Sequence, residues 1–191
     1  NEMFQFKRVP EMPVFVDSPL AIKATAIFTR YPTYYRNEVQ ELHRKHPHLF
    51  EFKNLKFTDS VESSKHINNV PPPKVILAGS GMSTGGRILH HEERYLPDPN
   101  SILVLTAYQA AGSLGRRLLD HAPEVNIHGS SVPVRAEVRV IDGYSAHADE
   151  EELFAFVDEM RDNLEHAFVV QGEPASALGF QQVIRDRLGV P

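Results

Sequence analysis

A serine and a histidine two positions apart, Ser145 and His147, form the segment with the clearest chemical potential in this sequence. They lie within residues 142–149, after an alternating apolar pattern typical of a strand and before a helical pattern. At such a junction, backbone N–H groups and the positive end of the helix dipole favour an anion. A phosphate fits this environment, and histidine can donate a proton to it. A hydrogen-bonded turn explains the same two residues equally well.

The glycine-rich loop 79–86 is a second candidate for phosphate binding. It follows the apolar run 74–78 and precedes a helical pattern, and its glycines would let the backbone approach a phosphate closely. It lacks the Gly-Lys-Ser/Thr of a Walker A motif and does not match Gly-x-Gly-x-x-Gly. A phosphate cradle and a tight structural turn are both consistent with it. In the weaker loop 108–112, a turn is the simpler interpretation.

Other residues with chemical potential have simpler structural explanations. Asp17 and Ser18 precede Pro19, a pattern typical of a helix N-terminus, so a capping role competes with a catalytic one. The other histidines considered stand at no recognisable metal-ligand spacing, and we predict that they lie on the solvated surface: His43, His46, His48, His90 and His91.

The elements that must position these residues alternate between strand and helix along nearly the whole chain. The predicted strands are 14–16, 50–57, 74–78, 102–106, 125–128, 132–141 and 166–170. The predicted helices are 19–31, 34–48, 58–68, 88–96, 113–119, 149–164 and 174–188. This alternation predicts an α/β fold with a mostly parallel sheet. Ligands bind such sheets at the carboxyl ends of the strands, where loops 17–18, 79–86, 107–112 and 171–173 are expected.

Composition limits the classes of protein to consider. The chain has 191 residues, of which 41% are hydrophobic, enough for a packed core, and its lack of cysteine excludes disulfides and thiolate metal sites. A formal net charge of −5 argues against a simple basic nucleic-acid module. No apolar run of about 18 residues and no signal peptide is present, so we expect a cytoplasmic protein without membrane contact. Residue 1 is Asn, so we expect a fragment or a processed form.

Four motifs, taken together and in order, resemble the β-CASP ribonucleases of the metallo-β-lactamase superfamily, especially the prokaryotic members called RNA specificity factors. They resemble more distantly the pre-mRNA 3′-end-processing endonuclease and ribonuclease J. The motifs are Pro-Val-Phe-Val-Asp-Ser-Pro-Leu-Ala (13–21), Ala-Gly-Ser-Gly-Met-Ser-Thr-Gly-Gly-Arg (78–87), Tyr-Gln-Ala-Ala-Gly-Ser-Leu-Gly-Arg-Arg-Leu-Leu (108–119) and Asp-Gly-Tyr-Ser-Ala-His-Ala-Asp (142–149).

The resemblance implies a two-domain, zinc-dependent enzyme that hydrolyses RNA phosphodiester bonds. It implies a mostly parallel, three-layer β-CASP domain over residues 1–131, with its N-terminal part missing. Residues 132–191 would then be the returning C-terminal portion of the metallo-β-lactamase nuclease domain. His147 takes the catalytic role, holding the phosphate and assisting the leaving oxygen. The residues expected to contact phosphate or RNA are Ser145, Asp17, Ser18, Gly79, Ser80, Gly81, Met82, Ser83, Gln109 and Arg116.

The sequence departs from the family pattern in its metal ligands. It contains no His-x-His-x-Asp-His, the zinc-ligand motif that precedes the β-CASP insert, so we expect the chain alone to be inactive. The family usually ends its last strand with Val-His-Gly-Glu, but here Gln171 stands in the ligand position. Glutamine is a poor zinc ligand. The parent protein would hold its second metal weakly, use water there, or be a degenerate RNA-binding member. If the alignment shifts, Gln171 is only a polar strand end.

Three functions therefore compete. The leading one is a fragment of a zinc-dependent nuclease that contributes RNA contacts through loop amides and a few cations such as Arg87, Arg116 and Arg117. The second is a non-catalytic RNA-binding or scaffold member, suggested by Gln171. The third is an unrelated nucleotide-binding α/β enzyme, suggested by loop 79–86. The expected partners are single-stranded RNA, the N-terminal nuclease portion in cis and a second copy in a homodimer. Zinc is expected in the parent and not in this chain.

Overall fold

The computed structural model describes residues 7–144 and 147–190 and has the predicted mixed α/β architecture with mostly parallel strands. Its strands are β1 (Val14–Asp17), β2 (Leu55–Phe57), β3 (Val75–Ala78), β4 (Ile102–Leu105), β5 (Glu124–Ile127), β6 (Ser130–Pro133) and β7 (Glu137–Val140). Its helices are α1 (Pro19–Arg30), α2 (Asn37–Lys45), α3 (Val61–His66), α4 (Arg87–Tyr95), α5 (Leu114–Leu119), α6 (Glu150–Asp158) and α7 (Pro174–Leu188).

The first sheet is parallel and has the order β2-β1-β3. Its central strand carries the buried residues Val14 and Phe15, which explains why this short apolar run forms a strand. Asp17 at the end of β1 pairs with Ala78 at the end of β3, so both strands end at the same edge. The predicted start of α1 is confirmed, because the Ser18 side chain accepts from the N–H of Ala21 and proline follows at the first helical position.

The second parallel pair is β4-β7, and β5 and β6 form an antiparallel hairpin. A buried apolar cluster joins the hairpin to α5 and to the end of α4; it consists of Leu96, Leu118, Val125, Ile127 and Val132. In the β4-β7 pair, Leu105 lies opposite Val140, so these two strands also end together. The register therefore places the start of loop 107–112 and residues 142–144 at one edge of the β4-β7 pair.

The prediction of one continuous strand over 132–141 is wrong. The apolar alternation continues across two strands, with Val132 opposite Val125 in the hairpin and Val138 opposite Leu103 in the parallel pair. Between them the chain changes partner, because the N–H groups of residues 135 and 136 both donate to the carbonyl of Leu96, at 2.8 and 2.9 Å. A change of partner strand leaves the period of two intact, so the sequence pattern does not reveal it.

The prediction of a buried strand over 166–170 is also wrong. This segment belongs to no strand among the described residues, and Phe168 and Val170 are 87% and 74% exposed. A short apolar run is an ambiguous signal by itself, and no described strand pairs with this one. The helix expected over 149–164 is shorter and ends at Asp158, followed by a single 3-10 turn, Arg161–Asn163.

The predicted domain boundary at 131/132 falls inside β6, and it stays a prediction. Among the described residues, no helix is both long and apolar enough to cross a lipid bilayer.

Candidate functional site at the carboxyl ends of the strands

The carboxyl ends of β1, β3, β4 and β7 are followed by the segments in which the sequence placed its candidate residues. Pairing of β1 with β3, and of β4 with β7, brings these segments to shared edges. A side-chain contact then connects the two parallel sheets. The Gln109 side chain donates to the carbonyl of Gly81, so loop 79–86 lies against loop 107–112. The convergence of loops that the parallel pattern predicts is therefore present.

Asp17, at the end of β1, is fully buried and has four side-chain partners. Its Oδ1 accepts from the hydroxyl of Thr58 and from Arg87, both at 2.7 Å. Its Oδ2 accepts from the hydroxyl of Ser64 and from His91 Nε2, also at 2.7 Å. A carboxylate only accepts, so Nε2 of His91 carries the proton.

Burial acts to raise the pKa of Asp17, but the hydrogen bonds from Thr58, Ser64, His91 and Arg87 together hold it below its usual range. Asp17 is thus an anion fixed by the protein itself. The prediction that His91 lies on the solvated surface is wrong, because its side chain is only 8% exposed and contacts this carboxylate. His90, the adjacent residue, is exposed as predicted.

Ser18 caps α1 and lies directly beside the glycine-rich loop. A Cβ added at Gly79 would stand 3.0 Å from the Ser18 hydroxyl oxygen, so glycine at residue 79 lets the loop approach the cap closely. The Ser18 hydroxyl already accepts from the N–H of Ala21 at 3.3 Å. The capping role, one of the two alternatives at this position, is therefore present in the structure.

The loop 79–86 is held in shape by its own serines. Ser80 and Ser83 both adopt the left-handed backbone region, with φ of 81° and 54°. The Ser80 hydroxyl accepts from the N–H of Thr84 at 3.1 Å. Ser83 is buried and donates its hydroxyl to Oε1 of Glu92 at 2.5 Å, so this hydroxyl points into the protein. Gly79 and Gly81 are exposed, and Met82 is half-buried.

Glu92, the partner of Ser83, is a buried acid with too few donors. Burial raises its pKa to about 7, and the single hydrogen bond from Ser83 offsets only part of that effect. Its second oxygen, Oε2, is buried without a hydrogen-bond partner. At neutral pH this side chain is therefore close to half protonated, beside a loop considered as a phosphate site.

Gln109 is the buried residue that holds the two loops together. Its Nε2 donates to the carbonyls of Gly81 and Ala107, both at 2.7 Å. Gly115, at the start of α5, completes the packing: its N–H donates to the carbonyl of Met82 at 3.0 Å. A Cβ there would stand 1.8 Å from Gln109 Oε1, so a larger residue would displace the Gln109 side chain. Gln109 is buried and supports the two loops from the interior of the protein.

Exposed charged and aromatic groups lie at the other side of loop 107–112. Tyr108 is 61% exposed and donates its hydroxyl to Oε1 of Glu173, which raises the pKa of Tyr108. Arg116, on α5, is paired through Nε with Asp120 at 3.0 Å, and that pairing raises the pKa of the arginine. The contact with Glu173 brings the segment 171–173 to the same loop cluster.

The segment with the serine and the histidine joins β7 to α6. Residues 142–144 form a 3-10 turn, and α6 begins with Asp149 as its cap, accepting from the N–H of Glu152 at 2.9 Å. His147 lies exposed two residues before this cap. Ser145 lies outside the described residues. The strand-to-helix junction itself is as predicted, whereas the roles of Ser145 and His147 stay predictions.

The donor set of this chain does not amount to a two-zinc site. Gln171 is exposed and has a left-handed backbone, with φ of 63°, and it offers an amide at the position where the resemblance predicts an imidazole. The sequence has no His-x-His-x-Asp-His that would supply the other ligands. The residues of this chain therefore do not supply the complete set of zinc ligands that the resemblance implies.

The structure brings together residues that the sequence singled out separately, and it adds others. Asp17, Ser18, Gly79, Gly81 and Gln109 lie within one connected group of contacts. The sequence interpretation assigned no individual role to Glu92, Tyr108, Gly115 or Glu173. Tyr108 and Glu173 are 65 positions apart, so no local spacing indicates their contact.

Comparison with known proteins agrees with this organisation. A family model described as Beta-Casp domain matches residues 1–118. A second, described as Zn-dependent metallo-hydrolase RNA specificity domain, matches residues 131–191.

Individual relatives are longer proteins. Ribonuclease TTHA0252 of Thermus thermophilus is 40% identical over 146 residues, covering 76% of this chain and 34% of that protein. Transcription termination factor FttA of Methanosarcina mazei is 31% identical over 188 residues, covering 95% and 29%. An RNase J-like protein of Methanocaldococcus jannaschii is 30% identical over 191 residues, covering 100% and 43%. The chain thus spans less than half the length of each of these three relatives.

Proposed function

This chain belongs to the β-CASP family of the metallo-β-lactamase superfamily, and on that premise we propose that it is the RNA-contacting portion of a zinc-dependent ribonuclease. The family membership replaces the interpretation of loop 79–86 as the nucleotide site of an unrelated enzyme. The observation that carries the proposal is the contact between loops 79–86 and 107–112 at the carboxyl ends of parallel strands, beside the end of β7, the strand that leads to His147.

In this proposal the chain's residues divide into a supporting set and a contacting set. Asp17, Ser83 and Gln109 are buried, so they shape the loops. The exposed contacts to phosphate are left to backbone N–H groups of loop 79–86, to Arg116 and to the segment of His147. His147 holds the scissile phosphate and assists the departing oxygen, with Ser145 beside it. The zinc ligands belong to sequence outside this chain, so the chain alone is inactive.

The net charge of −5 makes RNA binding by this chain a local electrostatic effect. Each phosphate neutralised by a cation releases counterions, so binding of single-stranded RNA should weaken as salt rises. Arg116 is the arginine to test because the Tyr108–Glu173 contact lies close to it. Its ion pair with Asp120 competes with phosphate for the same guanidinium.

We expect Arg116→Ala to weaken binding of a single-stranded RNA roughly threefold to tenfold at low salt and to reduce its salt dependence. Asp120→Ala should strengthen binding, since it frees the guanidinium. Fluorescence anisotropy with a labelled oligonucleotide measures both. Arg185→Ala is the matched control, because this exposed arginine lies eleven positions beyond the start of α7, roughly 16 Å along its axis. Equal losses in Arg116→Ala and Arg185→Ala would overturn the proposed contact.

Gln171 supports a second candidate function, a non-catalytic RNA-binding or scaffold member of the family. The two candidates separate in the full-length protein, by counting zinc per chain and measuring RNA cleavage. Two zinc ions with efficient cleavage, abolished by His147→Ala at unchanged zinc content, support the nuclease. Little zinc and no cleavage support the scaffold. Cleavage that rises in Gln171→His indicates a weakened but active metal site.

The remaining expectations about assembly and location stay proposals. We propose that residues 1–131 act as the β-CASP domain and residues 132–191 as the returning part of the nuclease domain, in agreement with the two matched ranges. A homodimer, the N-terminal nuclease portion in cis and a cytoplasmic location complete the proposed setting of the protein.

A further inference from the structure

Two histidines and a glutamate come together on the outside of the molecule, apart from the loops and the buried network described above. His90 and Glu93 are three residues apart on α4, a spacing that places both side chains on one face of the helix. His128 reaches the same place from the turn of the β5–β6 hairpin. One ligand atom from each of the three side chains lies within 4.8 Å of the other two.

The hairpin turn is built in a way that presents His128. The turn consists of His128 and Gly129, both with positive φ, 52° and 84°. This is the type I′ pattern, in which Asn-Gly is the preferred pair. The turn is stabilised without the imidazole, because the N–H of Gly129 donates to Oδ1 of Asn126 at 3.1 Å. A histidine is therefore held at a position where the backbone alone favours asparagine.

The distances within the cluster are close to those of a metal centre. Zinc binds imidazole nitrogen and carboxylate oxygen at about 2.0–2.2 Å, which places tetrahedral ligand atoms roughly 3.3 Å apart. Nδ1 of His128 already lies 3.2 Å from Oε2 of Glu93. The rings of His90 and His128 have centroids 4.6 Å apart, and His90 is exposed and can rotate. The nearby Arg94 guanidinium lies over the Tyr95 ring.

We propose that His90, Glu93 and His128 form a zinc-binding site distinct from the catalytic metals of the family. Two imidazoles and one carboxylate suit zinc and other late divalent metals, whereas Mg²⁺ and Ca²⁺ prefer all-oxygen sets. The metal replaces the proton that His128 Nδ1 shares with Glu93, and water completes the coordination. His128 and Glu93 side chains are each 40% exposed, so solvent reaches the site.

The location gives this site a structural meaning. The helix α4 lies within the range matched by the Beta-Casp model, residues 1–118, and His128 lies between that range and the one beginning at residue 131. A metal bound to both elements fastens the connecting hairpin to the helix. The site therefore stabilises the connection between the two matched regions, whether or not the protein cleaves RNA.

A calorimetric titration of this chain with zinc alone tests the site. We expect His128→Asn and His90→Gln each to abolish the binding of one zinc ion per chain or to lower its affinity at least about tenfold. His128→Asn creates the preferred Asn-Gly turn, so the hairpin should fold at least as well as before. Magnesium in excess should not compete for the site.

His121→Asn is the matched control, since His121 is also exposed and also has a positive φ, 57°, but lies outside the cluster. It should leave the zinc titration unchanged, which separates this site from zinc held by other surface histidines. Cobalt substitution adds a spectroscopic signature, a visible absorption of tetrahedral Co²⁺ that is lost in His128→Asn. The proposal is overturned if the wild-type chain takes up no zinc at micromolar concentrations, or if both ligand variants titrate like wild type.

Discussion

Two buried carboxylates, Asp17 beside α4 and Glu92 on that helix, behave in opposite ways. Asp17 is fully buried and its pKa is lowered, whereas Glu92 is 3% exposed and its pKa is raised to about 7. Burial alone would raise the pKa of both, because a charged group loses its hydration. The difference therefore lies in what the protein supplies in place of water.

The number of donors explains the contrast. Asp17 accepts from four side chains, two of which, Arg87 and His91, come from α4 itself. Four is about the number of lone-pair positions that a carboxylate offers. Glu92 accepts from Ser83 alone and has one oxygen without a partner. A saturated carboxylate is a permanent structural anion, whereas an undersaturated one begins to lose its proton only near neutral pH.

The contrast extends to the regions around these residues. The region of Asp17 ties β1, α3 and α4 together through satisfied hydrogen bonds. The region of Glu92, under loop 79–86, contains a second buried oxygen without a partner, Oε1 of Gln109. Buried unsatisfied oxygens have lost hydration without compensation. The region of Asp17 should therefore be the more stable of the two, and the region of Glu92, which supports the glycine-rich loop, the less stable.

The largest expected effect is the loss of the Asp17 charge. Asp17→Asn keeps the shape but leaves Arg87 buried opposite an amide, and one amide hydrogen must face a former donor. Breaking one partner of a buried pair costs about 3–5 kcal/mol, and we expect that loss in the free energy of unfolding, measured by urea at pH 7.

Asp98→Asn provides the control, because Asp98 also has a lowered pKa through hydrogen bonds, from Asn100 above all, but is exposed. It should change the free energy of unfolding far less. The lowered pKa of Asp17 adds a pH test. The stabilisation by the Asp17 carboxylate is present at pH values above the pKa of this group in the unfolded chain. It is lost as pH falls through the lower pKa that the group has in the folded protein. The difference in the free energy of unfolding between wild type and Asp17→Asn should decrease at acid pH. A difference that does not change with pH would contradict this prediction.

The second effect is a pH-dependent gain of stability from Glu92→Gln. The folded pKa of Glu92 is about 7 against an ordinary value of 4.5, so the folded protein binds the proton more tightly than the unfolded chain. Wild-type stability should therefore fall as pH rises from about 5, by an amount on the order of 3 kcal/mol once pH is well above 7. Glu92→Gln is neutral at every pH and escapes this loss.

Urea unfolding of wild type and Glu92→Gln at intervals from acid to alkaline pH measures this difference. The two proteins should be similar near pH 5, and the variant should be more stable above pH 7. Other titrating groups cancel in the comparison because both proteins contain them. Glu41→Gln, at an exposed position of α2, should track wild type throughout. A difference that does not grow with pH would show that Glu92 is charged and satisfied at neutral pH.

Local signals in the sequence were enough to predict the elements that carry this comparison. The Ser18 cap and Pro19 fix the start of α1, and the alternation of strand and helix predicted mostly parallel sheets. Carboxyl-end loops could then be expected to converge. These features depend on neighbours within a few positions, which is why a single sequence contains them.

The sequence could not predict which partners the side chains would find. His91 was expected on the surface because its neighbours in sequence are Glu92 and Glu93, yet its partner Asp17 is 74 positions away. The break between β6 and β7 was missed because a change of partner strand preserves the apolar alternation. The exposed run 166–170 was expected to be a strand from its apolar content alone. Each error concerns tertiary contacts.

The smallest expected effect addresses the base of loop 79–86 directly. Gly115→Ala would place a Cβ 1.8 Å from Oε1 and 2.8 Å from Cδ of Gln109, which must then leave its position. The donors to Gly81 and Ala107 would be lost with it. Overpacking of this kind costs about 1–3 kcal/mol, less than the loss of the Asp17 charge because the side chain can move. Urea unfolding again provides the measurement.

A double-mutant cycle makes this last prediction specific to the contact. Gln109→Ala removes the atoms that clash, so Gly115→Ala should cost much less in that background, giving a coupling of about 1 kcal/mol. Gly179→Ala is the control, because nothing lies within 4 Å of its added Cβ and alanine is the better helix former in α7. It should stabilise slightly. Additive costs at positions 109 and 115 would mean that the amide does not support the loop, and the contrast with the saturated region of Asp17 would then rest on Glu92 alone.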